Sequence, residues 1–373
     1  MNARKIWAIA RKELRQASRD PLSLAMLLGV PTMMLLMYGF ALNFDVRHVR
    51  LGVVDRDKSA ASRELIAAFV NSTYFDLVAD LPGDADLEGI TERREARVIL
   101  TIPEGYARML ADGLTAPVQF VVDGADANTA TTVLGYASAL VSDHNAVLLT
   151  EQTGAAPVSP IDYEPRVFYN PELKSTQFLV PGLIGFILML TAVLSTALSV
   201  VREKERGTME QLRVTSLRPA ELIVGKTLPY LGISLTATVI ILIAARVLFG
   251  VAVRGPYLDL FAATFIYLVG ALGFGLLVSS LAQTQALAFQ TGSVTSMLPA
   301  IFLSGFIFPI RAMPPVLQII TYAVPARYFN VILRGVILKG AGLGPYWKDV
   351  AFLVLYAVVV NSIAYFRLTR REA

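Results

Sequence analysis

Gly225-Lys226-Thr227 closes the stretch Ala220–Thr227 in the manner of a phosphate-binding loop, GxxxxGK[ST]. In such a loop the backbone N–H groups and the Lys hold nucleotide phosphates, and a strand must precede the Gly-rich turn. Here position 220 is Ala, no strand is expected before it, and Lys226 opens an apolar run. The chain is therefore not expected to bind ATP itself. Metal chemistry is equally poorly provided for. There is no Cys, and the two His, His48 and His144, are far apart, whereas a metal site needs several converging N, S or O ligands. Disulfides are excluded for the same reason. The densest set of reactive side chains is Arg202–Lys226, REKERGTMEQLRVTSLRPAELIVGK, with four Arg, two Lys and four acids.

The elements that position this stretch are apolar. The chain has 373 residues, 55% of them hydrophobic and 17% charged, with a mean hydropathy of +0.57. Soluble domains carry about 25% charge. A membrane-spanning helix needs about 20 apolar residues. Pro21–Phe44, Ser175–Val201 and Thr227–Ala245 qualify, Leu260–Ile310 is long enough for two spans, and Val350–Phe366 is a short sixth. The expected fold class is a polytopic α-helical membrane protein of six spans with an inserted extracytoplasmic α/β domain. Its expected parts are a cytoplasmic interfacial helix at 1–20 and spans at 21–44, 175–201, 227–248, 259–282, 286–308 and 350–367. Between them lie an outer domain at 45–174, a cytoplasmic connector at 202–226 and an outer re-entrant or interfacial segment at 309–349. A tail at 368–373 ends the chain. The first apolar run is longer than a signal-peptide core and no A-x-A site follows it, which reads as an uncleaved anchor.

Charge sets the orientation. The positive-inside rule assigns Lys/Arg-rich short segments to the cytoplasm. The N-terminal tail (Arg4, Lys5, Arg11, Lys12, Arg15, Arg19), the connector, and the C-terminal tail (Arg367, Arg370, Arg371) alternate correctly to share that side. Both termini are then cytoplasmic, as in a multi-pass protein of a bacterial inner membrane. Residues 46–174 hold 11 basic and 19 acidic side chains, a net −8, which leaves +12 for the rest of a chain that totals +4. The basic residues lie at membrane edges, which disfavours nucleic acid as a partner and favours the lipid bilayer.

In the outer segment, 49–55, 73–79, 97–102 and 117–123 read as strands. Ser59–Val70, a short PEGYARML stretch opened by Pro103, and Asp126 to about Thr150 read as helices, an alternation that suggests a small α/β domain. The Pro-rich GAAPVSPIDYEPRVFYNP stretch then leads back to the membrane. In the N-terminal tail, Ile6, Trp7, Ile9, Ala10, Leu14 and Ala17 share one helical arc and the cations the other. Such a helix lies in the membrane interface, and Glu13 is the one intruder on its apolar arc. Pro21 breaks it from the first span.

In the connector, Thr208 and Gln211 have the spacing of a capping box, and Gly207 permits a bend before it. A short helix Met209–Val214 is expected, with Met209, Leu212 and Arg213 on one side. Pro219 suits the first turn of a second helix that runs into the third span. A stop-transfer signal needs only Lys and Arg; Glu203, Glu205 and Glu210 add nothing to it. Mixed charge with exposed Met and Leu suits docking to a protein.

The same stretch, VREKERGTMEQLRVTSLRPAELIVGK, resembles the signature of ABC exporter permeases of the ABC-2 type. VFYNPELKSTQFLVPGLIGF (167–186) and LSGFIFPIRAMPPVLQIITYAVPARYFNVILRGVILKG (303–340) resemble that family too, so the likeness covers essentially the whole chain. One departure is Ser216, where the family pattern has Pro. The resemblance implies a permease dimer, of identical or paralogous chains, served by cytoplasmic ATP-binding subunits that hold ATP and Mg. The connector becomes the coupling helix, with Arg202, Glu203, Glu205, Arg206, Gly207, Thr208, Glu210, Gln211, Leu212 and Arg213 as its contact residues. A periplasmic adaptor protein is a further implied partner. The resemblance also places spans two and five beside the export route. Thr191, Ser195 and Ser199 line one face of span two, and Gln290, Ser293 and Met297 make a similar stripe on span five. Small polar residues at such spacing equally suit helix packing.

Two other classes compete with the permease reading. An ion-gradient transporter would need acids or His inside its spans and repeated spans, neither of which is evident. A membrane-anchored sensor or scaffold acting through the outer domain would not need the connector or the 303–340 signature.

Overall fold

The computed structural model describes residues 2–19, 21–41, 48–93, 95–124, 127–153, 169–170, 174–208 and 218–370. They form two compact units, Phe44–Pro165 and the rest of the chain.

The smaller unit is built on a four-stranded sheet of order β2-β1-β3-β4: β1 (Val49–Asp55), β2 (Phe75–Asp80), β3 (Val98–Ile102) and β4 (Gln119–Val122). β1 pairs parallel with β2 and β3, and β4 closes the edge antiparallel to β3. Parallel pairing buries strands on both faces, and the central strands β1 and β3 comply, whereas the edge strand β2 is mostly exposed. On one face Val49, Leu51, Val53, Val98, Leu100 and Ile102 pack under α3 (Ala60–Val70) and α6 (Ala127–Thr153). On the other, Val54 and Ile99 meet Ile90 of α4 (Leu87–Glu92). Phe69 is wholly buried, between the rings of Phe75 and Phe120. Three details depart from expectation. β2 starts at Phe75 rather than 73. α4 is a helix that LEGITE, with a Gly in six residues, does not advertise. The helix after Pro103 begins only at Tyr106 (α5, Tyr106–Ala111), because Gly105 takes φ +81°. The Asp57 carboxylate caps that start, accepting from Gly105 N at 2.9 Å and Ala107 N at 3.1 Å. Ser59, and after it these N–H groups, hold Asp57 below the usual carboxylate range.

The larger unit is helical: α1 (Ala3–Arg19), α2 (Pro21–Ala41), α7 (Ser175–Glu205), α8 (Pro219–Phe249), α9 (Tyr257–Leu281), α10 (Gln285–Phe302), α11 (Pro315–Thr321), α12 (Pro325–Ile337) and α13 (Trp347–Arg370). It is a polytopic helical membrane protein. Among the described residues four helices are long and apolar enough to cross a bilayer: α7, α8, α9 and the C-terminal helix. A fifth candidate is the pair α11–α12, bent by 79° at its break. The expectation of six is thus met in part. α2 is uncharged throughout, and its stretch Leu27–Ala41 is an apolar helix, whereas Gln285, Gln290, Thr291, Ser293, Thr295 and Ser296 dilute α10. The bent pair falls within 309–349, expected as re-entrant. Within 202–226, α7 runs on to Glu205 and α8 begins at Pro219, where the second helix is expected.

α7 is the central helix, buried along most of its length. Its neighbour α9 approaches through glycines: a Cβ on Gly275 would lie 2.0 Å from Thr196 Oγ1 and 2.4 Å from the Val193 carbonyl. Close backbone approach is how helices associate where no water drives them together. On the far side of α9, Gly273 faces the Asn361 amide of α13. Gly275→Val should therefore cost about 1–3 kcal/mol of overpacking or more. Gly29→Ala, in open space on α2, should be neutral or gain up to about 1 kcal/mol. Melting of the detergent-purified chain followed by size exclusion checks both, with a clear drop expected for the first alone.

Candidate functional site

The connector is anchored by a cluster of four charges, three of them buried and the fourth, Lys12, exposed at its edge. Lys226, on the first turns of α8, is 2% exposed and Glu13 of α1 is 3% exposed. Lys226 Nζ lies 3.0 Å from Glu13 Oε1 and 2.6 Å from Oε2 of Glu203, at the end of α7. Lys12 bonds the other oxygen of Glu203 and stands 3.4 Å from Glu13 Oε1. Ser199 Oγ donates to Glu13 Oε2 at 3.2 Å. Two ammonium groups and two carboxylates make the cluster neutral. That balance matters because an uncompensated buried charge costs several kcal/mol.

The local sequence explains the approach. α1 lies against α8 at Gly225, where a Cβ would sit 2.8 Å from Ile9 Cβ and 3.1 Å from the Ile6 carbonyl. The Gly-Lys pair that mimics a phosphate loop is thus a contact point and an ion-pair partner. Glu221, one turn earlier, accepts from Asn2 N at 2.7 Å and from Arg218 N at 3.1 Å, tying the start of the chain to the start of α8. Burial pulls the Lys12 ammonium down, but the hydrogen bond and charge of Glu203, then Glu13, outweigh it and hold it above its ordinary 10.5. A raised Lys pKa contributes stability that is full below the unfolded value and lost only as pH rises through the folded one. The Lys12 contacts therefore persist throughout the physiological range.

On its other flank the end of α7 grips the turn into α10. Glu205 accepts from Gln285 N at 2.7 Å and from the Gln285 side-chain amide. Lys204 donates to the Ser279 carbonyl, and Arg202 Nε to Gln285 Oε1 at 3.4 Å. Gly207 takes φ +70°, turning the chain out of α7 just after exposed Arg206. Thr208 Oγ1 donates to the Glu203 carbonyl at 3.3 Å. Glu210, Gln211, Leu212 and Arg213, with the helix expected at Met209–Val214, lie outside the described residues. Of the expected contact residues, Arg202, Glu203, Glu205 and Thr208 have side-chain partners inside the chain.

The expected path residues divide. Thr191 and Ser195 return their hydroxyl protons to the Ile187 and Ala192 carbonyls of their own helix, both at 2.8 Å. Ser195 is buried and Thr191 half-buried. Ser199 belongs to the charge cluster. On α10, Gln290 is exposed, Ser293 half-buried, and Met297 packs against the main core. Reading the sequence missed Glu13 and Lys226 as partners, although each is a charge in an apolar setting and their signs are opposite. Among the described residues no group of three His or acids could hold a metal.

Lys226→Met should strand two buried carboxylates on Lys12 alone and destabilise the helical unit by about 3–5 kcal/mol. Adding Glu13→Gln restores charge balance and should recover most of the loss. A double-mutant cycle on melting temperature checks this, and additive losses would refute the coupling.

Residues 22–366 match the family described as ABC-2 family transporter protein. The probable multidrug ABC transporter permease YbhS of Escherichia coli (strain K12) is 32% identical over 369 residues, 99% of this chain and 97% of that one. The probable multidrug ABC transporter permease YbhR of the same strain is 30% identical over 367 residues, 98% of this chain and 99% of that one. The inner membrane transport permease YhhJ, also of that strain, is 24% identical over 363 residues, 95% of this chain and 94% of that one.

Proposed function

The chain belongs to the ABC-2 transporter family as a YbhS- and YbhR-like permease, and from that premise we propose that it exports drug-like compounds outward across a bacterial inner membrane. It is a membrane subunit, and the ATPase resides on a partner. In our reading it crosses the membrane six times, with α2 and α10 as the added spans and both termini cytoplasmic. The drug-like cargo is suggested by the word multidrug in the names of YbhS and YbhR. Inner-membrane residence is suggested by the name of YhhJ.

The observation that carries the reading is the four-charge cluster. Residues 206–218 join α7 to α8, and the helix ends on either side of them are pinned to each other and to α1 through Glu203, Lys226, Glu13 and Lys12. Force delivered to the connector by a cytoplasmic ATPase would then move α1, α7 and α8 together, while the Glu205–Gln285 contact carries it into α10. A loop tethered only by its ends would absorb the push. Coupling needs a discrete element with contacts that differ between two states, and we assign that role to these helix ends.

A second permease completes the route. Leu287, Val294, Leu298 and Phe302 are exposed along α10 at i, i+7, i+11 and i+15, while Gly292 and Ser296 face inward. That stripe suits a partner helix. YbhS and YbhR are two such permeases in one organism, which favours a paralogous pair over two identical copies. Thr191, Ser195, Gln290, Ser293 and Met297 are the side chains we assign to the route between protomers, and the outer domain is the surface for a periplasmic adaptor protein.

The deciding experiment is a mild-detergent pull-down of the tagged chain from native membranes. An ABC ATP-binding subunit should copurify and be lost in Glu210→Ala/Leu212→Ala. An intact preparation without any ATPase would overturn the reading. Separately, Thr191→Leu/Ser195→Leu should lower dye efflux with assembly preserved, and unchanged efflux would remove these residues from the route.

A further inference from the structure

α1 and α8 leave a cleft beside their contact, about 380 Å³ in volume. One wall is the stripe Trp7, Arg11 and Leu14 of α1, at i, i+4 and i+7; the other is Leu228, Gly232 and Thr236 of α8, at i, i+4 and i+8. Trp7 is 62% exposed and Leu14 49%, so two large apolar side chains overhang a space that the protein does not fill. Gly232 sets the depth: a Cβ there would meet nothing within 4 Å. A Gly inside a helix costs roughly 0.5–1 kcal/mol against Ala, and at this position no close packing repays it. Thr236 Oγ1 donates to the Gly232 carbonyl at 3.0 Å, so that wall offers no competing hydroxyl donor. The volume is that of a ligand pocket with an apolar lining and one charged group at its mouth.

We propose that this cleft holds one anionic phospholipid of the cytoplasmic leaflet, with its phosphate on Arg11 and an acyl chain along Leu228, Gly232 and Thr236. The charge pattern favours this occupant. The one acid of α1, Glu13, is turned inward and neutralised by Lys226, whereas Arg4, Arg11, Arg15 and Arg19 are all exposed. An outward face of one sign beside an apolar cleft complements an anionic headgroup above its own chain. Trp7 at the rim suits the headgroup level, where Trp is enriched. From Leu228 to Thr236 the wall is about 12 Å long at 1.5 Å per residue, which accommodates the upper part of a chain. The lipid would fill the gap beside the α1–α8 contact and so stiffen the four-charge cluster. The inference rests on the reading above only in taking α1 as cytoplasmic.

Trp7 is its own reporter, because Trp347 is the one other Trp. In a Trp347→Phe background, the full chain is reconstituted into bilayers containing brominated phosphatidylglycerol or brominated phosphatidylcholine of the same chains. Quenching of Trp7 should reach half-maximum at a roughly fivefold lower fraction of the anionic lipid, the effect of about one cation at an anionic surface. Arg11→Gln should erase that preference. Gly232→Leu, which fills open space and should still fold, should reduce quenching by both lipids. Equal quenching by the two lipids, a preference that survives Arg11→Gln, or a Trp7 shielded from both by a second copy would each overturn the proposal. The assay needs neither ATPase nor transport, so its failure is distinct from failure of the export reading.

Discussion

A carboxylate and an ammonium taken out of water must face each other, and that constraint organises the helical unit at its connector end. Glu13 and Lys226 are 213 positions apart, on the first helix and on a span. Each is almost wholly buried, so neither could be accommodated without the other. Their meeting fixes how α1 lies on α8, and Glu203 draws the end of α7 into the same cluster. Gly225 follows from this contact, since a side chain there would push α1 away. So does the neutrality of the cluster: Lys12 is needed because two carboxylates share Lys226.

The smaller unit obeys a different physics. Its sheet is held by alternating branched residues that bury both faces, and its loops by carboxylates that accept backbone N–H groups. Asp57 caps α5, and Asp55 accepts from Ser62 Oγ at 2.7 Å and from Lys58 N at 2.9 Å. These acids sit at strand and helix ends where they satisfy donors, so the net −8 of residues 46–174 is partly structural.

The layout was readable because each main element declares itself over a short window. A 20-residue apolar run, an alternating strand and a Ser before a helix all depend on neighbours in sequence, and Ser59 does cap α3, accepting from Ser62 N at 3.0 Å. α4 escaped because six residues with a central Gly carry no period. α10 is a helix by its pattern, yet its Gln and Thr residues lower its apolarity below that of the other spans. The candidate site was half legible. The connector's mixed charge pointed to something beyond a stop signal, but which charges turn inward depends on pairings about 200 residues apart, and no local period encodes those. Read locally, Glu13 is a flaw in an amphipathic face and Lys226 an idle end of a false motif.

The acids in the connector can now be explained by subtraction. Orientation in the membrane is satisfied by Lys and Arg alone. Glu203 and Glu221 are needed to close the α7 and α8 ends onto α1, and Glu205 to close α7 onto Gln285. The short stretch between these closures carries Glu210 and Arg213 with Met209 and Leu212, the residues we propose for the ATPase contact. The helix ends on either side of it are clasped to their neighbours. A displacement imposed on these ends must either break buried ion pairs, at several kcal/mol each, or move the helices to which they belong. The second course costs less, so a displacement of these helix ends would carry into the helices they belong to.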